Sequence, residues 1–453
     1  MSTEPIVLIL SDLHVGGGVA DPGDDHVGQG RPLAEFIRQQ MQQATPGQPL
    51  ELIFNGDFLE FAQTRQDAFS LVDAECWCTE AESMVKLEAI LAGHPEIFSA
   101  LAAFAQAGHR VTLVAGNHDV DLYWPAVRRR LAEVIGPTLA FELGQEWIER
   151  FDGGLQIAHG HQSDSANAFK HWERPIRTLE FGIERLEMCP GTLFMVKFVN
   201  ALEAKYPFAD NLLPLTKLAS VLVREDDQGL STIGWAMLRF FGSASLGTLT
   251  AAQMAKAGHW PHLAEVQGDA SRQAEIAAAL GELAPAPAVA ARWRGPASAD
   301  GISGELLAEA MVALLGRIPD ARWHALFDLR GSPVTLGAGD GVTLGAMGRA
   351  LFANDKENLR KVAQGRVDAT GASVVVMGHT HQPDKWTLED GLYFNPGSWT
   401  RYLELAPGQE VHMADLVDES RFPYQLNYVR VARRADGRLD AAMTTFAEQP
   451  GRD

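Results

Sequence analysis

Short apolar runs recur along the chain, and longer segments in which apolar residues follow a helical period separate them. Several runs are continuous rather than alternating, which is typical of strands buried on both faces of a parallel sheet. Five such strands are predicted, at residues 6–10, 50–54, 110–115, 154–158 and 372–377. Weaker patterns predict three more strands, at residues 385–388, 392–395 and 425–432.

Helical periodicity fills the intervals between the first strands. Helices are predicted at about residues 32–43, 73–106 and 128–134, the second with a break near Pro95. Strands that alternate with helices predict a layered α/β fold, in which the loops at the carboxyl ends of the strands form the functional site.

The longest departure from this alternation lies between His161 and residue 359. It carries helical periodicity, for example at residues 166–187, 193–204 and 306–315, and is interpreted as an inserted cap. The predicted organisation is a core formed by residues 1–161 and 359–453, with a mostly helical insertion or cap at residues 162–358.

Each of the five buried runs is followed by residue types that bind metal ions. The candidate ligands are Asp12, His14, Asp57, Asn117, His159, His379 and His381. Nitrogen and oxygen ligands without thiolates suit Mn, Fe or Zn. Seven ligands exceed the need of one ion, whereas two ions about 3.5 to 4 Å apart that share a carboxylate would use them all, with Asp57 as the bridge. The alternative is that these residues are hydrogen-bonded polar groups at strand ends and bind no metal.

The candidate ligands fall into five motifs in a fixed order along the chain. The motifs are Asp12-x-His14, Gly56-Asp57, Gly116-Asn117-His118-Asp119, His159 and Gly378-His379-x-His381. In this order they resemble the motifs of the calcineurin-like metallophosphoesterase family, over residues 6–161 and about 373–398. The resemblance implies a four-layer α/β/β/α sandwich with two divalent cations, Mn or Fe/Zn. It implies that Asp12, His14, Asp57 and His381 surround one cation and that Asp57, Asn117, His159 and His379 hold the other.

The resemblance also implies hydrolysis of phosphoester bonds, by a phosphatase or a phosphodiesterase. Two cations would neutralise phosphoryl oxygens and acidify a bridging water, whose hydroxide attacks in line. His118 is the candidate that protonates or stabilises the leaving oxygen, and Asp119 is expected to hold its imidazole in one tautomer. His161 and Asp164 are candidates for contact with the substrate or with the metal ligands, and a solvated side chain is the alternative for each.

Charge narrows the class of partner. The chain has 38 Lys and Arg residues against 58 Asp and Glu residues, a net charge of −20. Because so acidic a surface repels a phosphate backbone, general nucleic-acid binding is disfavoured. The resemblance to the family, with the insertion as a cap that shapes specificity, implies a small-molecule or lipid-linked phosphoester as the substrate. The alternatives are a nuclease of the same family and a non-catalytic, metal-binding regulatory protein. The complete ligand set argues against the regulatory protein.

The first residues lead directly into a strand, without the basic and apolar segments of a secretory signal. The longest apolar-leaning stretches, residues 212–223 and 233–249, fall short of the roughly 20 apolar residues of a membrane span. A cytoplasmic protein without a transmembrane segment is therefore expected. The three cysteines, Cys76, Cys78 and Cys189, cannot all pair, so a disulfide framework is not expected.

Overall fold

The computed structural model describes residues 4–19, 21, 23–68, 76–164, 167–189, 191–192, 195–203, 206–213, 355–405 and 411–451. The chain divides into two compact units. The first contains residues 1–211, 354–403 and 418–453, and the second contains residues 212–353 and 404–417. The predicted helix at residues 306–315 and the apolar stretch at residues 233–249 lie outside the described residues.

The described residues contain fifteen strands and six α-helices. The strands are β1 Ile6–Leu10, β2 Leu50–Asn55, β3 Arg110–Val114, β4 Leu139–Glu142, β5 Ile148–Arg150, β6 Leu155–Ile157, β7 Ile176–Thr178, β8 Glu184–Leu186, β9 Leu212–Leu213, β10 Val374–Val376, β11 Asp384–Thr387, β12 Leu392–Asn395, β13 Leu403–Glu404, β14 Tyr424–Arg433 and β15 Leu439–Gln449. The helices are α1 Arg31–Gln43, α2 Glu80–Gly93, α3 Pro95–Gln106, α4 Pro125–Ile135, α5 Asn200–Glu203 and α6 Asp355–Thr370. Short 3-10 turns cover Val27–Gly30, Gln66–Ala68, Val120–Tyr123, His161–Ser163, Glu180–Gly182, Asp415–Val417 and Glu419–Arg421, and a π turn covers Met195–Val199.

Two mixed sheets form the centre of the first unit. One has the strand order β15-β14-β1-β2-β3-β4, and its strands β1 to β4 run parallel. The other has the order β11-β12-β10-β6-β5, and its strands β6, β10 and β12 run parallel. All eight predicted strands are present, and their observed ends lie within two residues of the predicted ends.

The two sheets face each other across an apolar core. Val7 and Ile9 of the first sheet and Val374 and Val376 of the second belong to this core. Val375 points the other way and packs on α6, because successive side chains of a strand alternate between faces. With α3 packed on β3 outside the first sheet, the layers follow the predicted α/β/β/α order.

The helix break near Pro95 is confirmed. Helices α2 and α3 meet at His94 and are bent by 89°. Proline disfavours helical backbone at the residue before it and is tolerated at the first position of a helix, so α2 ends where α3 begins. Thr79 caps α2, where its side chain accepts the Glu82 N–H and the Glu82 side chain accepts the Thr79 N–H.

Predicted elements beyond His161 agree less well with the structure. A helix is predicted at residues 166–187, but the described residues there form the antiparallel pair β7 and β8. The limits of the insertion stay a prediction, because most of residues 162–358 lies outside the described part of the chain. Cys76, Cys78 and Cys189 are buried thiols. Among the described helices, none is by itself long and apolar enough to cross a membrane, and only the bent pair of α2 and α3 meets such a test by length and composition.

Candidate metal centre

The seven predicted ligands come together where five parallel strands of the two sheets end. The Asp12 N–H donates to the Gly56 carbonyl oxygen at 3.2 Å, which joins the ends of β1 and β2. The Asn55 Nδ2 donates to the Ala158 carbonyl oxygen at 2.9 Å, which joins β2 to β6 across the two sheets. The His379 N–H donates to the Asp12 carboxylate at 2.9 Å, which joins β10 to β1.

Three groups of metal-binding side chains are present among the described residues; one is His14, Glu60 and His118, and the other two consist of predicted ligands. Asp12, His14 and His381 form one group, and Asp57, His159 and His379 form the other, with the ligand atoms of each group within 4.8 Å of one another. Asp57 Oδ2 lies 3.2 Å from His159 Nε2 and 4.0 Å from His14 Nε2, so the carboxylate of Asp57 faces both groups. This position suits a bridging ligand, and the two groups match the predicted division of six of the seven residues.

The backbone turns sharply at most of these residues. Asp12, His14, Asp57, His379 and His381 have φ between 49° and 71°, in the left-handed region. Few non-glycine residues adopt this region, and Asn, Asp and His are enriched among those that do. Such strain persists only where surrounding contacts enforce it, and it concentrates at functional sites.

Three glycines of the motifs allow the loops to approach so closely. A Cβ atom on Gly56 would clash with the His159 ring, one on Gly116 with the Asp57 carboxylate, and one on Gly378 with the Ser11 hydroxyl. Each clash involves a ligand or the neighbour of a ligand. The glycines beside Asp57, Asn117 and His379 are therefore required by packing within the site.

Hydrogen bonds at Nδ1 determine which ring nitrogen of His159 and of His14 can bind a cation. His159 Nδ1 donates to the Asn55 carbonyl oxygen at 2.8 Å, and His14 Nδ1 donates to Glu60 Oε2 at 2.7 Å. Because each Nδ1 carries hydrogen, the lone pair of the neutral ring is on Nε2. In both residues Nε2 is the atom that faces Asp57.

Buried polar atoms of two predicted ligands support a metal-binding role. Asn117 Oδ1 is buried and has no hydrogen-bond partner, and the buried His159 Nε2 lies 3.2 Å from Asp57 Oδ2, an atom of another predicted ligand. A buried polar atom without a partner costs free energy, and a bound cation would remove this cost. The nitrogen and oxygen donors, without thiolates, also fit Mn, Fe or Zn, so the residues present fit the implied dinuclear centre.

The pKa shifts of the site residues indicate that a bound cation would replace a proton. Burial would lower the pKa of His159, but the carboxylates of Asp57 and Asp12 raise it to about 9. Burial would raise the pKa of Asp57, but His159 and His118 lower it well below its usual value. Burial lowers the pKa of His381, which favours a neutral imidazole. Cation binding at His159 requires the neutral ring and therefore displaces a proton.

The predicted role of Asp119 is wrong. Its carboxylate accepts the N–H groups of Phe58 and Gly116 at 2.9 and 2.6 Å, and burial and Asp57 raise its pKa to about 7. Glu60 contacts the catalytic candidate instead, because its Oε2 accepts from His118 Nδ1 at 2.7 Å. Asp119 holds the backbone of the loop, whereas Glu60 orients the imidazole.

Glu60 is a functional residue that the sequence interpretation missed. The same oxygen contacts His14 and His118, whose rings lie 4.7 Å apart edge to face. Burial would raise the pKa of Glu60, but His118 and His14 lower it to about 2. Burial would lower the pKa of His118, but Glu60 and Asp57 raise it to about 10. The only sequence signal for Glu60 is a carboxylate three residues after Asp57, and it does not identify the partner of that carboxylate.

Glu60→Gln is expected to weaken the acid form of His118. Without the Glu60 charge the pKa of His118 falls from about 10 toward its ordinary 6.5. A group that acts as an acid works below its pKa, so the alkaline limb of the pH–rate profile moves to lower pH. The profile and the bound metal are measured together, because Glu60 also contacts His14. An unmoved alkaline limb at full metal content would contradict this role.

His161 is buried, and the Asp164 side chain is mostly buried. His161 is 3% exposed, and its ring lies edge-on against Trp172 at 4.3 Å, so the solvated alternative is wrong. Burial lowers the pKa of His161 well below its usual value. Asp164 Oδ2 lies 3.0 Å from His379 Nε2 and so contacts a predicted metal ligand. Contact of either residue with a substrate stays a prediction.

The turn after β12 completes the floor of the site. Asn395 Nδ2 donates to the Gly378 carbonyl oxygen at 2.9 Å. The Ser398 N–H donates to the His381 carbonyl oxygen at 3.1 Å, and the Trp399 N–H donates to the Asp12 carbonyl oxygen at 3.0 Å. The turn after β12 therefore holds the loops that carry Asp12 and His381.

The part of the chain that carries most of these ligands matches a known protein family. The model of the calcineurin-like phosphoesterase family matches residues 6–186, which confirms the resemblance. A search of curated proteins finds no significant match. Among solved structures, the chain is similar to the phosphopantetheinyl hydrolase of Mycobacterium tuberculosis, with 12% identity, 88% of this chain and 91% of that chain covered, and a TM-score of 0.25. It is also similar to zinc-bound Vps29 of Entamoeba histolytica, with 20% identity, 21% of this chain and 48% of that chain covered, and a TM-score of 0.10.

Proposed function

We propose, from the premise that residues 6–186 form a domain of the calcineurin-like phosphoesterase family, that this protein hydrolyses phosphoester bonds with two divalent cations. The observation that carries the proposal is the pair of ligand groups on either side of Asp57. A single-metal or structural site would not need a carboxylate that faces both groups.

The cations, when bound, supply positive charge for the phosphoryl oxygens and acidify a bound water. The chain supplies the ligands and their orientation. Asp57 lies between the two groups, and the Asn55 carbonyl oxygen and Glu60 fix the rings of His159 and His14. Preorganised ligands reduce the rearrangement that catalysis requires.

His118 provides the proton for the leaving oxygen. Glu60 holds Nδ1, and the raised pKa of about 10 keeps the second ring nitrogen protonated at neutral pH. The proton passes from Nε2 to the oxygen of the departing group, and a water molecule restores it afterwards. Asp57 Oδ1 accepts the backbone N–H of His118 at 2.9 Å, so the loop that carries the acid is bonded directly to a predicted metal ligand.

The substrate proposed here is a small-molecule or lipid-linked phosphoester. The side chains of His381 and His118 are 32% and 12% exposed, whereas those of Asp12, Asp57 and His159 are almost fully buried. A substrate therefore approaches from the side of His381 and His118. The net charge of −20 disfavours a nucleic-acid substrate, since long-range repulsion opposes binding of a phosphate backbone.

Metal reconstitution tests this function. Protein stripped with a chelator is refilled with Mn, Fe, Zn, Ni or Mg, and hydrolysis of generic chromogenic monoesters and diesters is followed. Turnover is expected with a transition metal at close to two equivalents, and the ester preferred identifies phosphatase or phosphodiesterase activity. Failure to bind any of these metals would overturn the proposal. Two bound equivalents without turnover on any ester would favour a regulatory metal-binding protein.

A further inference from the structure

His379 has an acidic neighbour that the predicted ligand sets leave out. Its Nε2 lies 3.0 Å from Asp164 Oδ2. A carboxylate only accepts hydrogen bonds, so the hydrogen of the His379 ring is on Nε2. In the neutral ring the lone pair is then on Nδ1. This leaves Nδ1 as the nitrogen that can bind a cation.

Asn167 supports the same assignment. Its Nδ2 donates to Asp164 Oδ2 at 2.6 Å and lies 3.5 Å from His379 Nε2. Two donors that share one carboxylate oxygen are expected to lie at about such a distance from each other. The amide of Asn167 therefore shares the acceptor with the imidazole and leaves Asp164 as the partner of His379.

The pair of Asp164 and Asn167 also reaches a second predicted ligand. Asn117 Nδ2 lies 3.5 Å from Asn167 Oδ1, at the limit of a hydrogen bond. With its amide nitrogen on this side, Asn117 keeps Oδ1, the buried atom without a partner, for a cation. His379 and Asn117 both belong to the predicted ligand set of the second cation.

We infer that Asp164 is a positioning residue for the second cation, an inference that rests on the proposed dinuclear function. Its carboxylate holds His379 with hydrogen on Nε2, and Asn167 extends the contact to Asn117. This is the third histidine of the site to be fixed from outside, after His14 with Glu60 and His159 with the Asn55 carbonyl oxygen.

The effect is selective for one cation. Asp164 contacts His379, whereas the first group consists of Asp12, His14 and His381. Removal of a partner of this kind typically lowers metal affinity about 10- to 100-fold. The loss is expected in the second equivalent of metal only.

Asp164→Asn tests the inference, because asparagine can still accept from Nε2 but carries no charge. Equilibrium dialysis with Mn²⁺ alone gives the affinity of each equivalent. In the variant one equivalent is expected to bind roughly 10- to 100-fold less tightly than in the unaltered protein, with the other unchanged. Asp390→Asn, at an exposed position, is the matched control and should bind as the unaltered protein does. Visible absorption of Co²⁺-loaded protein reports separately on the ligands of each cation.

The outcomes separate the inference from the proposed function. If the unaltered protein binds fewer than two equivalents, the dinuclear function fails. If it binds two equivalents and Asp164→Asn binds both equally well, the positioning role is overturned. Complete loss of one equivalent in Asp164→Asn, equal to that in His379→Ala, would also overturn it, because Asp164 would then be a direct ligand. A loss of roughly 10- to 100-fold confined to one equivalent supports positioning.

Discussion

Asp57→Asn is expected to reduce phosphoester hydrolysis by about 4 kcal/mol of transition-state stabilisation, or roughly a thousandfold in rate. Asp57 Oδ2 faces the ring nitrogens of His159 and His14, at 3.2 and 4.0 Å, so a neutral amide weakens both ligand groups at once. Loss of one other ligand would affect a single group. The measurement is kcat together with metal content, with Mn²⁺ in excess.

Two features make the Asp57 experiment decisive. Asparagine has nearly the same volume as aspartate, so the buried position stays filled and the change is one of charge. Asp152→Asn is the control, since Asp152 also has a positive φ but its side chain is 89% exposed. Full activity of Asp57→Asn, with two bound equivalents of metal, would be incompatible with a bridging role.

The effect of His118→Ala is expected to depend on the leaving group. General acid catalysis typically contributes about 100- to 10,000-fold, and alkyl esters, whose alkoxide leaves poorly, should lose rate in this range. Nitrophenyl esters need little protonation and should lose much less. Metal content should stay unchanged, because His118 is not among the predicted ligands. The measurement is kcat for a series of esters that differ in leaving-group pKa.

A uniform loss across that series would assign His118 a role other than proton donation. His171→Ala is the control, because the His171 side chain is 60% exposed and its hydrogen bond is to Glu187, away from the ligand groups. Loss of bound metal in His118→Ala would instead indicate that the ring belongs to the ligand set, in line with its position beside His14 and Glu60.

The arrangement of the ligands was predictable from the sequence because it depends on strand ends. Continuous apolar runs identify parallel strands, and the topology brings their carboxyl ends together. The positions of Asp12 and His379 could be predicted without information about side-chain packing, because each residue follows the end of a strand, β1 or β10. The same holds for the floor turn after Asn395, which follows β12.

The contacts between side chains were less predictable. Asp119 is adjacent to His118 in sequence, but its oxygens accept the N–H groups of Phe58 and Gly116, and Nδ1 of the His118 ring donates to Glu60 instead. Glu60 reaches that ring from the loop after β2, a contact that depends on how two loops pack. Asn167 and Asp164 act across more than 200 residues of sequence from His379. Pairings of this kind follow from tertiary structure and have no local pattern.

Strand β15 was missed for a related reason. Its residues alternate, with Leu439, Ala441 and Met443 packed toward the core and Asp440 and Ala442 between them. Such a strand has one solvated face and lies at the edge of its sheet, so it lacks the continuous apolar run that identified β1 or β10. The hairpin of β14 and β15 was consequently predicted as a single strand.

The pairing of β6 with β10 has a consequence for how such a chain can be remodelled. Leu155 pairs with Val374 and Ile157 pairs with Val376 in parallel, so the chain leaves β6 at one end of this short pair and enters β10 at the other end. Because the ends of the intervening segment are already held together, its length has only a small effect on the entropy of closing that loop. The segment between β6 and β10 is therefore expected to accept changes of length at little cost in loop-closure entropy, while the strands that lead to His159 and His379 stay in register.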